Sequence, residues 1–263
     1  MLHMIVCVKQ IIDPEIPPAA FKIDPEAKKA VPPADRPPVI NPFDENAVEA
    51  ALRVKDAKGG KITVLSMGTG FVPEVIKKPL TVGADELILI DDPALENLDP
   101  YGRASVLAAA IKKIGKFDII FCGRQAGDWD AGQVGSGIAE LLGIPCVTLA
   151  KKVEVADGTV RVERVVTDGY EVVEAPLPVL ITVSNELGEL RYATFKGIMA
   201  AKKKPVTTWK AADLGLDLSR LHRTEILKLY IPVREAKCEF IGGETPEEAG
   251  ANLALKLREA KLI

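Results

Sequence analysis

The sequence predicts an α/β fold with a doubly wound, mainly parallel sheet, extended by a β-hairpin and a C-terminal arm. Three observations lead there. Short apolar runs alternate with amphipathic helical patterns through the first two-thirds of the 263 residues. Glycines and an Asn-Pro pair fall where those patterns start and stop. Strand, helix and strand in succession imply right-handed crossovers and parallel pairing, with helices over both faces of the sheet.

Taken in order, residues 4–8 (MIVCV) read as a buried strand, as do 62–65, 87–90 and 117–122. Asn41 as N-cap and Pro42 at the first helical position announce a helix. Phe43, Ala47, Ala50, Ala51 and Val54 repeat at helical spacing along it, and Gly59-Gly60 ends it. A second helix is expected over 72–82, with Pro79 disturbing its end. A third shows Val106, Leu107, Ala110, Ile111 and Ile114 on one face before Gly115. A fourth runs from Val134 to Leu142 and closes at Gly143. The pattern then changes. Residues 151–155 and 160–166, joined by Asp157-Gly158, read as a β-hairpin, and Asp168-Gly169 turns into 170–174. An apolar strand covers 179–183, and 191–204 is basic and part helical. From residue 205 the chain is irregular until Pro246 opens a last helix, with Ala249, Leu253 and Leu257 on one face. The expected organisation is a nucleotide-binding α/β domain over 1–205, which includes the hairpin and a recognition loop at 184–204. Residues 206–263 form an arm that packs on another subunit, because a long semi-regular tail needs something to bury its apolar residues.

Composition narrows the function classes. Hydrophobic residues at 48% and charged residues at 27% suit a globular protein. The formal net charge of -3 gives no basic face for nucleic acid. No apolar run approaches the roughly 20 residues of a membrane span, and MLHMIVCVKQ lacks a charged n-region and a cleavage site. A cytoplasmic protein is expected. The four cysteines, Cys7, Cys122, Cys146 and Cys238, form no CxxC pair, and only His3 and His222 stand beside them, so no metal site is expected.

In an open parallel sheet, ligands bind beyond the carboxyl ends of the strands near the topological switch point. Four pieces should converge there: Cys7-Val8-Lys9, the helix start Asn41-Pro42-Phe43, Ser66-Met67-Gly68-Thr69-Gly70, and Gly123-Arg124-Gln125-Ala126-Gly127-Asp128-Trp129-Asp130. The last continues through Gly132, Gln133, Val134, Gly135, Ser136 and Gly137 into the fourth helix. Glycines permit close backbone approach, and a helix N-terminus offers free N–H groups to a phosphate. Gln133 and Ser136 add side-chain hydrogen bonds, while Asp128 and Asp130 either hold ribose hydroxyls or fix the loop. Equally, these glycines shape a loop and the Asp pair caps a helix. Trp129 stacks on a ring or covers the loop. There is no GxxxxGK[ST], so a Walker-type hydrolase is not indicated, and the first βα turn has no GxGxxG for NAD.

These motifs, in this order and spacing, resemble the beta subunits of electron-transfer flavoproteins. Further likeness lies in Arg164, Gly169, Glu171, Pro178 and Thr182 within residues 162–183, with Thr167 where an acidic residue is usual. Another lies in Arg191, Tyr192, Thr194, Phe195, Ile198 and Met199, followed by Lys202 to Lys204, which is similar to the family's partner-recognition loop. The resemblance implies a Rossmann-like fold of the adenine-nucleotide alpha-hydrolase type. It implies a heterodimer with a larger alpha subunit carrying redox FAD, and docking to an acyl-CoA-type dehydrogenase or other flavoenzyme. The beta site would hold AMP in the structural branch, or a second FAD in the electron-bifurcating branch. Residues 131–135 and 168–171 are similar to the FAD-binding branch, whereas residues 192–194 and the lysine run resemble the AMP-binding one. By position, Cys7, Lys9, Asn41 to Asp44, Met67 and Gly123 to Ser136 would line the site. No residue is expected to act as a catalytic acid, base or nucleophile, since a flavin carries such chemistry itself. A stand-alone adenine-nucleotide-binding regulatory protein and an adenylating enzyme are the alternatives.

Overall fold

Alternation along one central strand explains how the layers form. In the computed structural model, which describes residues 1–232 and 238–263, β1 (His3–Cys7) sends Met4 and Val6 to one face and Ile5 and Cys7 to the other. Apolar on both sides, it sits mid-sheet with helices above and below, as a parallel strand must. A two-residue strand, β2 (Gln10–Ile11), leads into the proline-rich segment. There β3 (Lys22–Asp24) and β4 (Lys29–Val31) form a small hairpin, and β5 (Val39–Ile40) returns to pair with β2.

Helix α1 (Pro42–Lys58) follows, then β6 (Lys61–Gly68). The expected second helix is broken into α2 (Pro73–Ile76) and α3 (Lys78–Val82), because Pro79 removes an N–H and its ring obstructs the preceding turn. Strand β7 (Glu86–Asp91), α4 (Pro100–Ile114) and β8 (Ile119–Gly123) come next. Helix α5 (Val134–Leu142) ends where Gly143 adopts a left-handed conformation at φ 66°. Strand β9 (Cys146–Ala156) is long enough to serve two partners. Its first half pairs in parallel with a later strand, and its second half bends into a meander with β10 (Thr159–Val166) and β11 (Gly169–Pro176). Strand β12 (Val179–Val183), α6 (Phe195–Ala201) and β13 (Val206–Trp209) complete the layer.

The nine strands run in the order β11-β10-β9-β12-β8-β1-β6-β7-β13. Every neighbouring pair from β9 to β13 is parallel, and only the β9-β10-β11 edge is antiparallel. Chain order moves outward from β1 through β6 and β7, then jumps to β8 on β1's other side. The switch point therefore lies between β1 and β8. Helices α1, α2, α3 and α6 cover one face and α4 and α5 the other, giving two apolar layers. Strand β13 pairs with β7 from Val206 to Trp209, so the sheet extends beyond the boundary at residue 205 expected from sequence. The four residues VTTW, following a lysine run, are too short to announce themselves.

Residues 1–228 form one compact unit and 229–263 a second. The second is built around α7 (Pro246–Glu259), capped by Thr245 Oγ1 accepting the N–H of Glu248, while Glu248 accepts the N–H of Glu244. Leu253 and Leu255 on α7 are exposed. Among the described residues, no helix is long and apolar enough to cross a membrane.

Candidate functional site

Where β1 and β8 diverge, their terminal N–H groups lose ladder partners, and a buried carboxylate takes their place. Asp44, in the first turn of α1, accepts the N–H of Lys9 at 2.8 Å and that of Gly123 at 3.1 Å. It thereby ties both strand ends to the helix. Burial pushes its pKa up to about 7, against the pull of Asn41 and of the two backbone donors. Gly123 is required here for packing: a Cβ would strike the Asp44 carboxylate and the Phe43 backbone.

Asn41 does not cap α1 with its side chain as expected. Its amide donates to the carbonyl of Gln125 at 2.8 Å and its oxygen accepts the N–H of Gly127 at 3.1 Å. Buried and fully bonded, it pins the loop after β8 across the switch point. Pro42 at the start of α1 removes the need for one cap. Within the loop, Gln125 Nε2 donates to Asp130 at 2.7 Å, and the N–H of Asp130 bonds the carbonyl of Ala126 at 2.8 Å. Arg124 lies over the Phe43 ring, 4.9 Å from its centre, and reaches Asn185. Trp129 is exposed.

The loop delivers the chain to α5, whose first turn is open. Gln133 makes no side-chain cap, no acidic residue stands in the turn, and among the described residues no side chain accepts the N–H of Val134, Gly135 or Ser136. Those amides and the helix dipole are a ready anion site. Gly135 and Gly137 serve a different purpose from the one their spacing suggests. A Cβ on Gly135 would stand 2.8 Å from Thr182 Cγ2, and one on Gly137 3.0 Å from Ala104 Cβ. Both seat α5 on its neighbours, and Gly132, at φ 63°, is the loop glycine whose backbone requires the left-handed region.

Lys9, two residues past the end of β1, reaches across and pairs with Asp128 at 2.5 Å. Burial lowers its pKa, Asp128 raises it again, and Arg103 pushes it down. Cys7 and Met67 are buried at the ends of β1 and β6, in the apolar layer beneath the crevice. A hydrogen bond with Cys7, and burial, raise the Cys122 thiol well above its ordinary range, so Cys122 stays a neutral core residue. Sequence reasoning missed Arg103 and Gln10. Gln10 accepts the N–H of Val72 and donates to the Gly70 carbonyl, closing the loop after β6. Arg103 carried one signal, a cation near the N-terminus of a helix, where the dipole disfavours it.

The second group of expected residues sits apart, on α6 and the loop before it. Arg191 is spent internally: it holds Glu49 through Nε at 2.9 Å and Nη2 at 3.1 Å, and Asp56 through Nη1 at 2.8 Å. Burial pushes Glu49 up, but Arg191 and Arg53 outweigh it and hold the carboxyl below its usual range. Thr194 caps α6 by accepting the N–H of Gly197 at 3.0 Å. Gly197 has no room for a Cβ against the Thr81 carbonyl, so α6 lies hard on α3. On this rigid mount Tyr192 is 92% exposed and Phe195 81%, with Ile198 and Met199 beside them.

A recess of about 460 Å³ lies elsewhere, lined by Ala50, Arg53, Lys151, Lys152, Glu154 and Glu163 among others. Its lysines already pair with its glutamates. Among the described residues, no group of three or more His, Cys, Asp or Glu side chains is placed to hold a metal.

Residues 33–214 match the family described as Electron transfer flavoprotein domain. The whole chain is 37% identical to the whole of the Caffeyl-CoA reductase-Etf complex subunit CarD of Acetobacterium woodii. It is 39% identical to the Electron transfer flavoprotein subunit beta of Thermoanaerobacterium thermosaccharolyticum, again over the full length of both. The Acryloyl-CoA reductase electron transfer subunit gamma of Anaerotignum propionicum is 32% identical over 97% of this chain and 92% of its own. With an open parallel sheet, a crevice at its switch point and agreement from end to end, the chain belongs to the electron-transfer flavoprotein family, as a subunit of the beta type.

Proposed function

We propose that this chain works as one half of a heterodimer, with an electron-transfer flavoprotein alpha subunit, and that its switch-point crevice holds FAD. The observation that carries the reading is the uncapped start of α5, facing the pinned loop 123–133. Such amides suit the phosphates of an adenine dinucleotide. A flavin bound there would supply the electron-carrying chemistry. The chain's own residues would bind and orient it: the α5 amides, Gln133 and Ser136 at the phosphates, and Lys9 and Arg124 as nearby cations. Asn41 and Asp44 would position the walls, with Cys7 and Met67 as the apolar floor.

Likeness of residues 131–135 to the bifurcating branch supports FAD over AMP in this subunit. Two relatives are named for the reduction of CoA thioesters, caffeyl-CoA and acryloyl-CoA. This favours an acyl-CoA-type dehydrogenase or reductase as the outside partner. Tyr192, Phe195, Ile198 and Met199 present an apolar surface suited to anchor it.

Co-expression with an alpha-type subunit of an electron-transfer flavoprotein tests the reading. A yellow complex of two unequal chains that survives size exclusion is expected. A colourless chain that purifies alone and turns over ATP would reject it in favour of a nucleotide-dependent enzyme.

A further inference from the structure

The start of α4 is heavily fastened, and one side chain on it is left unspent. Asp99 accepts the N–H of Gly102 at 2.8 Å through one oxygen, and those of Arg223 and Thr224 at 2.9 and 2.8 Å through the other. Arg103 follows. Its Nε donates to the Leu98 carbonyl at 2.8 Å, which fixes the base of the guanidinium. Among the described residues, neither Nη group has a hydrogen-bond or ion-pair acceptor.

The neighbourhood of Arg103 is the crevice. Ala104, next in the chain, stands against Gly137 of α5, so this turn of α4 lies beside the open end of α5. Arg103 acts electrostatically on Lys9, just beyond the end of β1, and both cations feel the carboxylate of Asp128. Asp99 also faces Arg103, but its oxygens are engaged by three backbone N–H groups. Asp44 faces Lys9 from below, fully engaged with the strand ends. Two half-buried cations thus share one available carboxylate, beside amides that already attract negative charge.

We propose that Arg103 is a phosphate-binding residue of the crevice, and that with Lys9 it makes the site favour a ligand carrying two linked phosphates over one carrying a single phosphate. The proposal rests on the nucleotide reading above. The open end of α5 satisfies one phosphate group through backbone N–H donors. A second, bridged to the first, falls to the side-chain cations, where a planar guanidinium with free Nη donors grips two oxygens at once. A single phosphate has no use for both.

The test is titration of the heterodimer, stripped of its bound nucleotide, with ADP and with AMP. Wild type should bind ADP more tightly than AMP. R103Q should weaken ADP by about tenfold or more while leaving AMP within about threefold, with R103K in between because it keeps the charge without the fork. Should R103Q fail to fold, R103K carries the same comparison. Equal loss for both nucleotides, or no loss for either, overturns the role of Arg103 and leaves the crevice reading standing. Wild type that binds neither nucleotide overturns that reading, and this proposal with it.

Discussion

Asp44 shows how one side chain can hold a switch point together. A doubly wound sheet must part its strands at the place where ligands bind, and the parted N–H groups need an acceptor. A carboxylate reaching two N–H donors does this within one turn of helix. Its burial carries a pH consequence. With a folded pKa of about 7 against an ordinary 3.8, the folded protein binds a proton that the unfolded chain has released. Between those values the folded state holds more protons, so stability falls as pH rises from about 4 to 7 and levels off above. Asp44→Asn removes this component. The urea midpoint of wild type, relative to D44N, should therefore drop between pH 5 and 7.5 and then run parallel. Parallel curves throughout would mean that Asp44 stays ionised across the range. The sequence placed Asp44 at the crevice but not in this role, since the partner N–H groups lie 35 and 79 positions away. Arg103 carried only the weak signal of a cation near a helix N-terminus, for a related reason: a single arginine on an amphipathic helix looks much the same whether it is solvated or aimed at a cleft.

Elements were legible where periodicity and punctuation agreed. Helix α5 was expected from Val134 to Leu142 and is found there, because Gly143 supplies the left-handed stop and the apolar face is regular. Strands β1, β6, β7, β8 and β12 were read from apolar runs for the same reason. The break between α2 and α3 was half visible in Pro79. What the pattern could not give was the purpose of the glycines at the start of α5. Spacing suggested a phosphate cradle, whereas Gly135 and Gly137 also let the helix sit against β12 and α4. This makes a direct test of seating possible. Gly135→Ala pushes a methyl toward Thr182, which should cost about 1–3 kcal/mol of stability and displace the amides from the crevice. A lower melting temperature with loss of retained nucleotide is expected. Unchanged melting would show that the first turn of α5 is not pressed onto β12.

At the scale of the molecule, two surfaces divide the work. The switch-point crevice lies among β1, β6, β8, α1 and α5, regular elements of the kind that can hold the proposed site precisely. The exposed aromatic pair of Tyr192 and Phe195 sits where a loop locked to α1 through Arg191 enters α6, away from that crevice. Under the proposed function, holding a cofactor and meeting a partner fall to separate parts of one sheet. The family was readable from motif order, because several loops at strand ends match together; no single loop would have sufficed.

The claim on which the rest depends is that the crevice holds FAD. Denaturing the purified heterodimer and counting released nucleotides by chromatography addresses it most directly. Two FAD per heterodimer and no AMP are expected. One FAD with one AMP would contradict FAD in this subunit, and one FAD with no further adenine nucleotide would contradict the crevice as a nucleotide site.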